Sequence, residues 1–328
     1  MTAENAPETA QDTTPAPRPK KRDVHGWVIL DKPIGMTSTH AVSVVKRAFG
    51  AKKAGHAGTL DPLASGLLPI ALGEATKTVA YIMDARKGYE FTLRFGEARD
   101  TDDAAGVVTA ASELRPSDEE IRAALPQFTG LIMQVPPRYA AVKVQGERAY
   151  DLARRGETVE LAPREIRIDE LVLVRRVDLD HAEFRMTSGK GAYVRAIARD
   201  LGEALGCHAH VSALRRSEVG SFNASNAVSL DELARIVEDD TLPQILVPMT
   251  TALAGIPALA VTEPQALRLR SGQPVRITPA LVGGDVIEPA TVRAMRAGEL
   301  IALARLEGME LSPVRVFHHG PMPAGNHA

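Results

Sequence analysis

The stretch from Gly55 to Lys77 reads GHAGTLDPLASGLLPIALGEATK, and its early half carries a single carboxylate, Asp61, among glycines, alanines and an apolar run. An Asp-Pro pair commonly marks a turn, so one reading of Asp61 is purely structural. The other is an opened reaction site. Gly55, Gly58, Gly66, Ala57 and Ala64 would let a substrate backbone or base approach closely, and His56 lies five residues upstream of the acid.

Several familiar chemistries do not fit this run. A phosphate-cradling loop needs two glycines with four residues between them, the second followed by Lys and Ser or Thr, and GEATKT does not supply them. Ordinary glycoside hydrolysis sets two carboxylates across the scissile bond, and the stretch marks no second acid. The Cys207-His208-Ala209-His210 cluster lacks the second ligand pair of a zinc site, and the His318-His319 pair offers less. We therefore expect no metal.

The elements around Asp61 can be read from pattern. HGWVILDKP is a short β-rich run stopped by Pro33 and Gly35, and TSTHAVSVVKRAF is a helix capped by Thr37 or Ser38, with Ala41, Val44, Val45 and Ala48 on one face. GLLPIAL reads as a buried strand, EATKTVAYIMDA as a helix, and YEFTLRF as a strand alternating Tyr89, Phe91, Leu93 and Phe95. SDEEIRAAL and SLDELARIVE are Ser-capped helices; IRIDELVLVRRV and HAEFRMTS resemble paired strands; AYVRAIARDLGEALG is a helix closed by Gly206. Without a regular βαβ rhythm, this order predicts an α+β domain reaching to about residue 250. The remainder, with RSGQPVRI, ELIALARLEG and LSPVRVFHHG, predicts a small β-rich domain over 251–320 and a disordered tail over 321–328.

Composition bounds the class. The chain has 328 residues, 45% of them hydrophobic, enough for two domains, and no apolar run approaches the roughly 20 residues that cross a bilayer. No apolar secretory core stands at the N-terminus, and Cys207 is the only cysteine, which fits a reducing compartment; the expected location is the cytoplasm. Residues 1–23 are rich in Ala, Thr and Pro and read as a disordered leader. The net charge of −2 hides a basic segment from Arg18 to Lys53. The acidic runs EARDTDDAAG, SDEE and EDD read as solvated loops and helix starts, with no chemistry assigned.

LDKPIGMTS, GHAGTLDPLASGLLPIALGEATK, KGYEF, PPRYAAVKVQGERAYDLARRG, GKGAYVRAIARDLGEALG and AHVSALRR, in that order, resemble the bacterial TruB-type tRNA pseudouridine synthases that modify uridine 55 of the T loop. The resemblance covers about residues 24 to 220; beyond residue 250 the similarity to a small PUA-like RNA-binding domain is weaker. It implies the pseudouridine-synthase fold, a large mixed, mainly antiparallel sheet with flanking helices, in a catalytic domain over 24–250 with an RNA-gripping insertion at about 130–165.

By the same resemblance Asp61 is the nucleophile, attacking ribose C1′ or base C6, or driving elimination to a glycal. Tyr89 stacks on the flipped base and assists proton transfer, and Arg195 pairs with Asp61. His56 fills the space left by the flipped nucleotide, and Tyr193 and Leu214 wall the uracil pocket. Lys20, Lys21, Lys32, Lys46, Arg47, Lys52 and Lys53, with Arg138, Lys143, Arg148, Arg154 and Arg155 of the insertion, are expected phosphate contacts. The implied partner is tRNA, through its T arm and elbow, with no cofactor, no membrane, no obligatory protein partner and a monomeric state. Two other readings compete: a tRNA-binding and folding factor in which catalysis is secondary, and a guide-dependent enzyme of a larger complex, against which the compact layout argues.

Overall fold

The computed structural model describes residues 21–318 apart from 141, 145, 158, 159, 240 and 279–289. The first twenty residues of the expected leader and the expected tail lie outside the described residues. The chain is already held at Arg22, whose N–H donates to Gly50 O at 2.8 Å, and Asp23 pairs with Lys52 at 2.7 Å. The fold thus begins a residue or two before the expected boundary at 24.

The first half runs through β1 (Gly26–Lys32), α1 (Ser38–Ala48), β2 (Ala54–His56), β3 (Ser65–Leu72), α2 (Val79–Asp84), β4 (Lys87–Phe95), β5 (Glu97–Arg99), β6 (Val108–Ala111) and α3 (Asp118–Ala124). It continues through β7 (Gly130–Gln134), β8 (Lys143–Val144), β9 (Glu147–Arg148), α4 (Ala149–Arg154), β10 (Arg164–Arg176), β11 (His181–Ser188), α5 (Val194–Ala204), β12 (Ala209–Val219), β13 (Ala227–Val228) and α6 (Leu230–Glu238). The last part holds β14 (Ala258–Ala260), α7 (Glu263–Arg270), β15 (Val275–Arg276), β16 (Ala290–Arg296), β17 (Glu299–Glu307) and β18 (Glu310–Val316).

The period-two alternation of β4 buries Tyr89, Phe91, Leu93 and Phe95 while Glu90 stays exposed, the mark of a strand with one face in a core. Nine strands form the main sheet in the order β13-β1-β3-β12-β4-β11-β10-β7, with β2 on the side of β3. All its pairings are antiparallel except β1 with β13 and β3 with β12. The mixed, mainly antiparallel sheet expected from the sequence is therefore present. β1 and β3 are interior strands toward one side of the sheet and read as continuous apolar runs because both faces are covered.

Three cores grow from this sheet. One joins Phe91, Phe184, Ile197 and Leu201 between the strands and α5; a second joins Val28, Leu30, Val45 and Leu68 beneath α1 and α6. The third joins Trp27, Leu67 and Phe222 to Leu300, Leu303 and Phe317, so the C-terminal five-stranded sheet, ordered β14-β16-β17-β18-β15, is packed against the main domain through apolar side chains.

Helix starts follow their caps. Thr37 receives the His40 N–H at 3.1 Å, and Ser117 forms a full capping box with Glu120. The helix expected over EATKTVAYIMDA begins instead as a 3-10 turn at Gly73–Thr78, where the Thr76 and Thr78 hydroxyls each bond back to the carbonyl three residues earlier.

Gly66 is the tightest point of the sheet. It sits opposite Arg216 in the parallel β3–β12 pair at φ +100°, and a Cβ there would lie 2.3 Å from Arg216 O. Gly66→Ala is expected to destabilise the fold by at least about 2 kcal/mol, read as a lowered urea midpoint, because both the left-handed backbone and the backbone clash must be relieved.

Candidate active site

Asp61 rides on the loop between β2 and β3, and that loop is tied at nearly every residue. Ala57 N–H donates to Pro69 O at 2.9 Å, Gly35 N–H to Pro62 O at 2.7 Å, and Ala64 N–H to Asp61 O at 3.0 Å. Ser38, buried at the start of α1, takes the Leu60 N–H at 2.8 Å and returns its hydroxyl to Leu60 O at 2.9 Å. From the opposite side the buried Arg216 donates to Gly58 O, Thr59 O and Leu67 O at 3.2, 3.3 and 2.8 Å. A loop so bonded presents its carboxylate in one position, with 35% of that side chain still open to solvent.

Arg195, on the first turn of α5 and only 5% exposed, meets Asp61 with Nη2 at 2.9 Å from Oδ2. The same guanidinium donates to Thr101 O and Tyr139 O at 3.1 Å each, and its Nε lies 3.7 Å from Asp103 Oδ2. Asp103 is itself oriented, since its Oδ1 accepts from Thr101 Oγ1 at 2.6 Å and from Ala105 N at 3.0 Å. A solvated-loop reading of the run Glu97–Gly106 therefore needs correction: Asp103 is buried and Asp102 half-buried against α5. Asp102, in the left-handed region at φ 59°, has its carboxyl pushed up to about 6 by burial, although Arg199 at 3.4 Å and Arg195 pull the other way.

Tyr89, on β4, is buried directly opposite Arg216 in the β4–β12 register, and the guanidinium opposes the rise that burial imposes on its phenol. Two residues earlier on β12, Leu214 stands opposite Phe91 on the same face and packs against both neighbouring cores. Tyr193 precedes α5; its N–H donates to Gln134 Oε1 at 2.9 Å while Gln134 Nε2 donates to Tyr193 O at 3.2 Å, which hooks the start of α5 to β7. Burial raises the Tyr193 phenol above its ordinary value, with Arg195 and Asp61 both acting on it. His56 ends β2, half-buried and paired with Ile70. Asp61, Tyr89, Arg195 and Tyr193 are thus drawn into one another's fields.

The lysines behave differently. Lys32 is fully buried and spends its Nζ on Pro33 O and Met36 O at 2.8 and 2.9 Å, so it cannot meet a phosphate at the surface as expected. Burial pushes it down to about 8, against the attraction of Asp61. Lys143 pairs with Arg148 in the β8–β9 hairpin, and its side chain lies outside the described residues. Arg155 of the insertion is held by Glu147 at 2.6 Å and Glu157 at 2.7 Å. Lys20 is outside the described residues.

Three residues that matter here carried no assigned role in the sequence, Asp103, Gln134 and Arg216, and Ser38 entered it only as a candidate helix cap. A signal existed for Arg216. Consecutive strand residues point to opposite faces, so one member of the Arg215-Arg216 pair had to share the core face with Leu214. Arg215 takes the other face, forming a two-pronged pair with Asp31 at 3.0 and 2.7 Å.

Comparison with known proteins places the chain in a family. Residues 46–194 match the TruB family pseudouridylate synthase N-terminal domain, and residues 195–254 the tRNA pseudouridylate synthase B C-terminal domain. The tRNA pseudouridine synthase B of Bradyrhizobium diazoefficiens is 56% identical over 320 residues, covering 96% of this chain and 92% of that one. The protein of the same description from Rhodopseudomonas palustris is 56% identical over 308 residues, 92% of this chain and 83% of the other. Among solved structures, a chain of the archaeal box H/ACA sRNP Nop10-Cbf5 complex superposes with TM-score 0.67 at 25% identity, covering 89% of this chain and 86% of that chain. One in a Cbf5-Nop10-Gar1 complex gives 0.69 at 25% identity, covering 95% and 91%. Fold and site together define a pseudouridine synthase, an isomerase acting on RNA. Within that class the chain belongs to the TruB family.

Asp102 supplies a pH test of the buried acids. Its folded value of about 6 lies above the ordinary carboxyl value of 3.8, so between those pH values the folded state holds the proton more tightly and stability falls as pH rises. Asp102→Asn lacks that loss. Its urea midpoint relative to wild type is expected to improve between pH 4 and pH 6.5, by the equivalent of roughly 1–3 kcal/mol. A pH-independent difference would contradict the buried-acid account.

Proposed function

We propose that this chain converts uridine 55 in the T loop of tRNA to pseudouridine, with Asp61 as the nucleophile. One observation carries the reading: a lone, partly open carboxylate on a loop tied from both sides, paired with a guanidinium that is almost wholly buried. The net reaction breaks N1–C1′, turns the uracil, makes C5–C1′ and moves one proton from C5 to N1. Such an isomerisation requires a positioned nucleophile, a wall that keeps the freed base in place and a route for that proton.

The remaining residues supply those needs. A stacked loop base must be extruded before any carboxylate can reach its glycosidic region, at a few kcal/mol. Tyr89, Tyr193 and Leu214 would hold the uracil by stacking and apolar contact, and His56 would fill the vacated stack. Arg195 directs the Asp61 oxygen toward the nucleotide, with Asp103 as its second acidic neighbour. The half-buried Lys46 and the exposed Arg47 and Lys53 before the loop, with the exposed Arg138 of the insertion, meet the RNA backbone. The C-terminal sheet, as a PUA-like module, extends the grip toward the elbow. We read the protein as a cytoplasmic monomer needing no metal, cofactor or obligatory protein partner.

The direct test is a pseudouridine-specific chemical assay of position 55 in unmodified tRNA, run with chelator and no added cofactor. Wild type is expected to convert the uridine, and Asp61→Asn to lose at least about 1,000-fold in rate while still binding tRNA. Binding by both proteins with conversion by neither would make RNA folding the leading activity. An isolated T-arm stem-loop, with no guide RNA, should also be converted.

Phosphate contact gives a second expectation. The affinity for tRNA should fall roughly tenfold or more between 50 and 200 mM salt, through release of counterions from the backbone. A dissociation constant that ignores salt would remove the basic segments from the interface.

A further inference from the structure

Arg216 has no place in the reading above beyond tying a loop, yet its situation is unusual for a structural arginine. It is 2% exposed and, among the described residues, forms no ion pair with a carboxylate. A buried cation without a contacting anion is expensive, and such groups gather where a reaction makes use of their field. Nε and both terminal nitrogens are satisfied by carbonyls of the segment bearing Asp61, namely Gly58, Thr59 and Leu67. The neighbour it meets across the strands is the Tyr89 side chain, directly opposite in the β4–β12 register.

We propose that Arg216 is a positioning residue for the isomerisation: it locks the Tyr89 hydroxyl to the Asp61 loop and stabilises the transient phenolate through which one proton passes from C5 to N1 of the uracil. This rests on the reading of the site as a uridine isomerase. The proton balance is closed. Once C5–C1′ has formed, C5 still carries its hydrogen and N1 is imine-like; the Tyr89 phenol gives its proton to N1, and the resulting phenolate takes the proton from C5, restoring the phenol. No external acid, base, oxidant or reductant is consumed.

The electrostatics agree in sign. Burial raises the Tyr89 phenol above its ordinary value, and Arg216 opposes that rise by its charge. Asp61 works in the other direction on the same phenol. A neutral residue at 216 would leave a buried hydroxyl beside a carboxylate, where an anion on the phenol oxygen has no support. A loop tie alone would not need a charge, because carbonyls accept equally from a neutral amide donor.

The test uses single-turnover conversion of tRNA by wild type, Arg216→Lys, Tyr89→Phe and the double variant, with Ser38→Ala as a variant that loosens the same loop without touching Tyr89. Wild-type conversion and an inactive Asp61→Asn establish the underlying reading first, so its failure is seen separately. Arg216→Lys should slow the chemical step roughly 10- to 100-fold with tRNA affinity within about twofold, and should move the pH profile of the rate. In the Tyr89→Phe background the same change should matter less than about threefold, because coupled groups are not additive. Ser38→Ala should lower the rate without moving the pH profile. Equal losses in both backgrounds with an unmoved profile would reduce Arg216 to a loop tie and overturn the proposal. If Arg216→Lys does not fold, NMR of the arginine side chains in wild type and Tyr89→Phe decides: the Arg216 Nη–H resonances should shift, and unchanged resonances would overturn it.

Discussion

The site depends on one ion pair whose two ends are held in opposite ways. In the proposed reaction Asp61 must stay open to a nucleotide, so its position cannot come from burial; it comes from the backbone around it. Arg195 can be buried because it never leaves the protein, and its guanidinium gathers Thr101 and Asp103 of one loop and Tyr139 of another onto one point. A 2.9 Å contact between a fixed cation and a fixed loop orients the acid without closing it from solvent. The β5–β6 loop, the turn after β7 and the start of α5 all meet at that guanidinium, which makes its placement a requirement on the whole main sheet.

Much of this was legible in the chain. The alternation in YEFTLRF predicts which face of β4 carries Tyr89, and the Ser and Thr caps predict helix starts at Thr37, Ser117 and Ser229. Asp61 and Arg195 come from resemblance rather than from pattern: an Asp-Pro turn and a helix arginine are ordinary alone, and 134 positions separate them. Their 2.9 Å meeting is a tertiary fact. The acids at 102 and 103 misled for the opposite reason. Composition reads an Asp-rich run as solvent-facing, while the hairpin that carries it folds back against the arginines of α5, where burial and pairing replace hydration.

Lys32 illustrates the same limit. A lysine in a basic segment before a catalytic loop reads naturally as a phosphate contact. Its place at the end of β1, with both faces of that strand covered, leaves no path to solvent, and two backbone carbonyls absorb its ammonium instead. The nearby positive field at Asp61 is therefore built from inside the fold as well as from any surface bases.

The two buried arginines divide the labour by what surrounds them. Arg195 has two acids beside it, so its charge is largely spent within the protein and its effect is geometric. Arg216 has carbonyls and a phenol, so its charge remains available to whatever anion develops near β4. Gly66 makes that second arrangement sterically feasible, because any side chain there would push β3 away from the Arg216 backbone. The glycine, the unpaired arginine and the tyrosine opposite it form a single requirement written across three strands: close approach at Gly66 sets the depth of Arg216, and that depth determines both the loop that carries the carboxylate and the environment of the phenol.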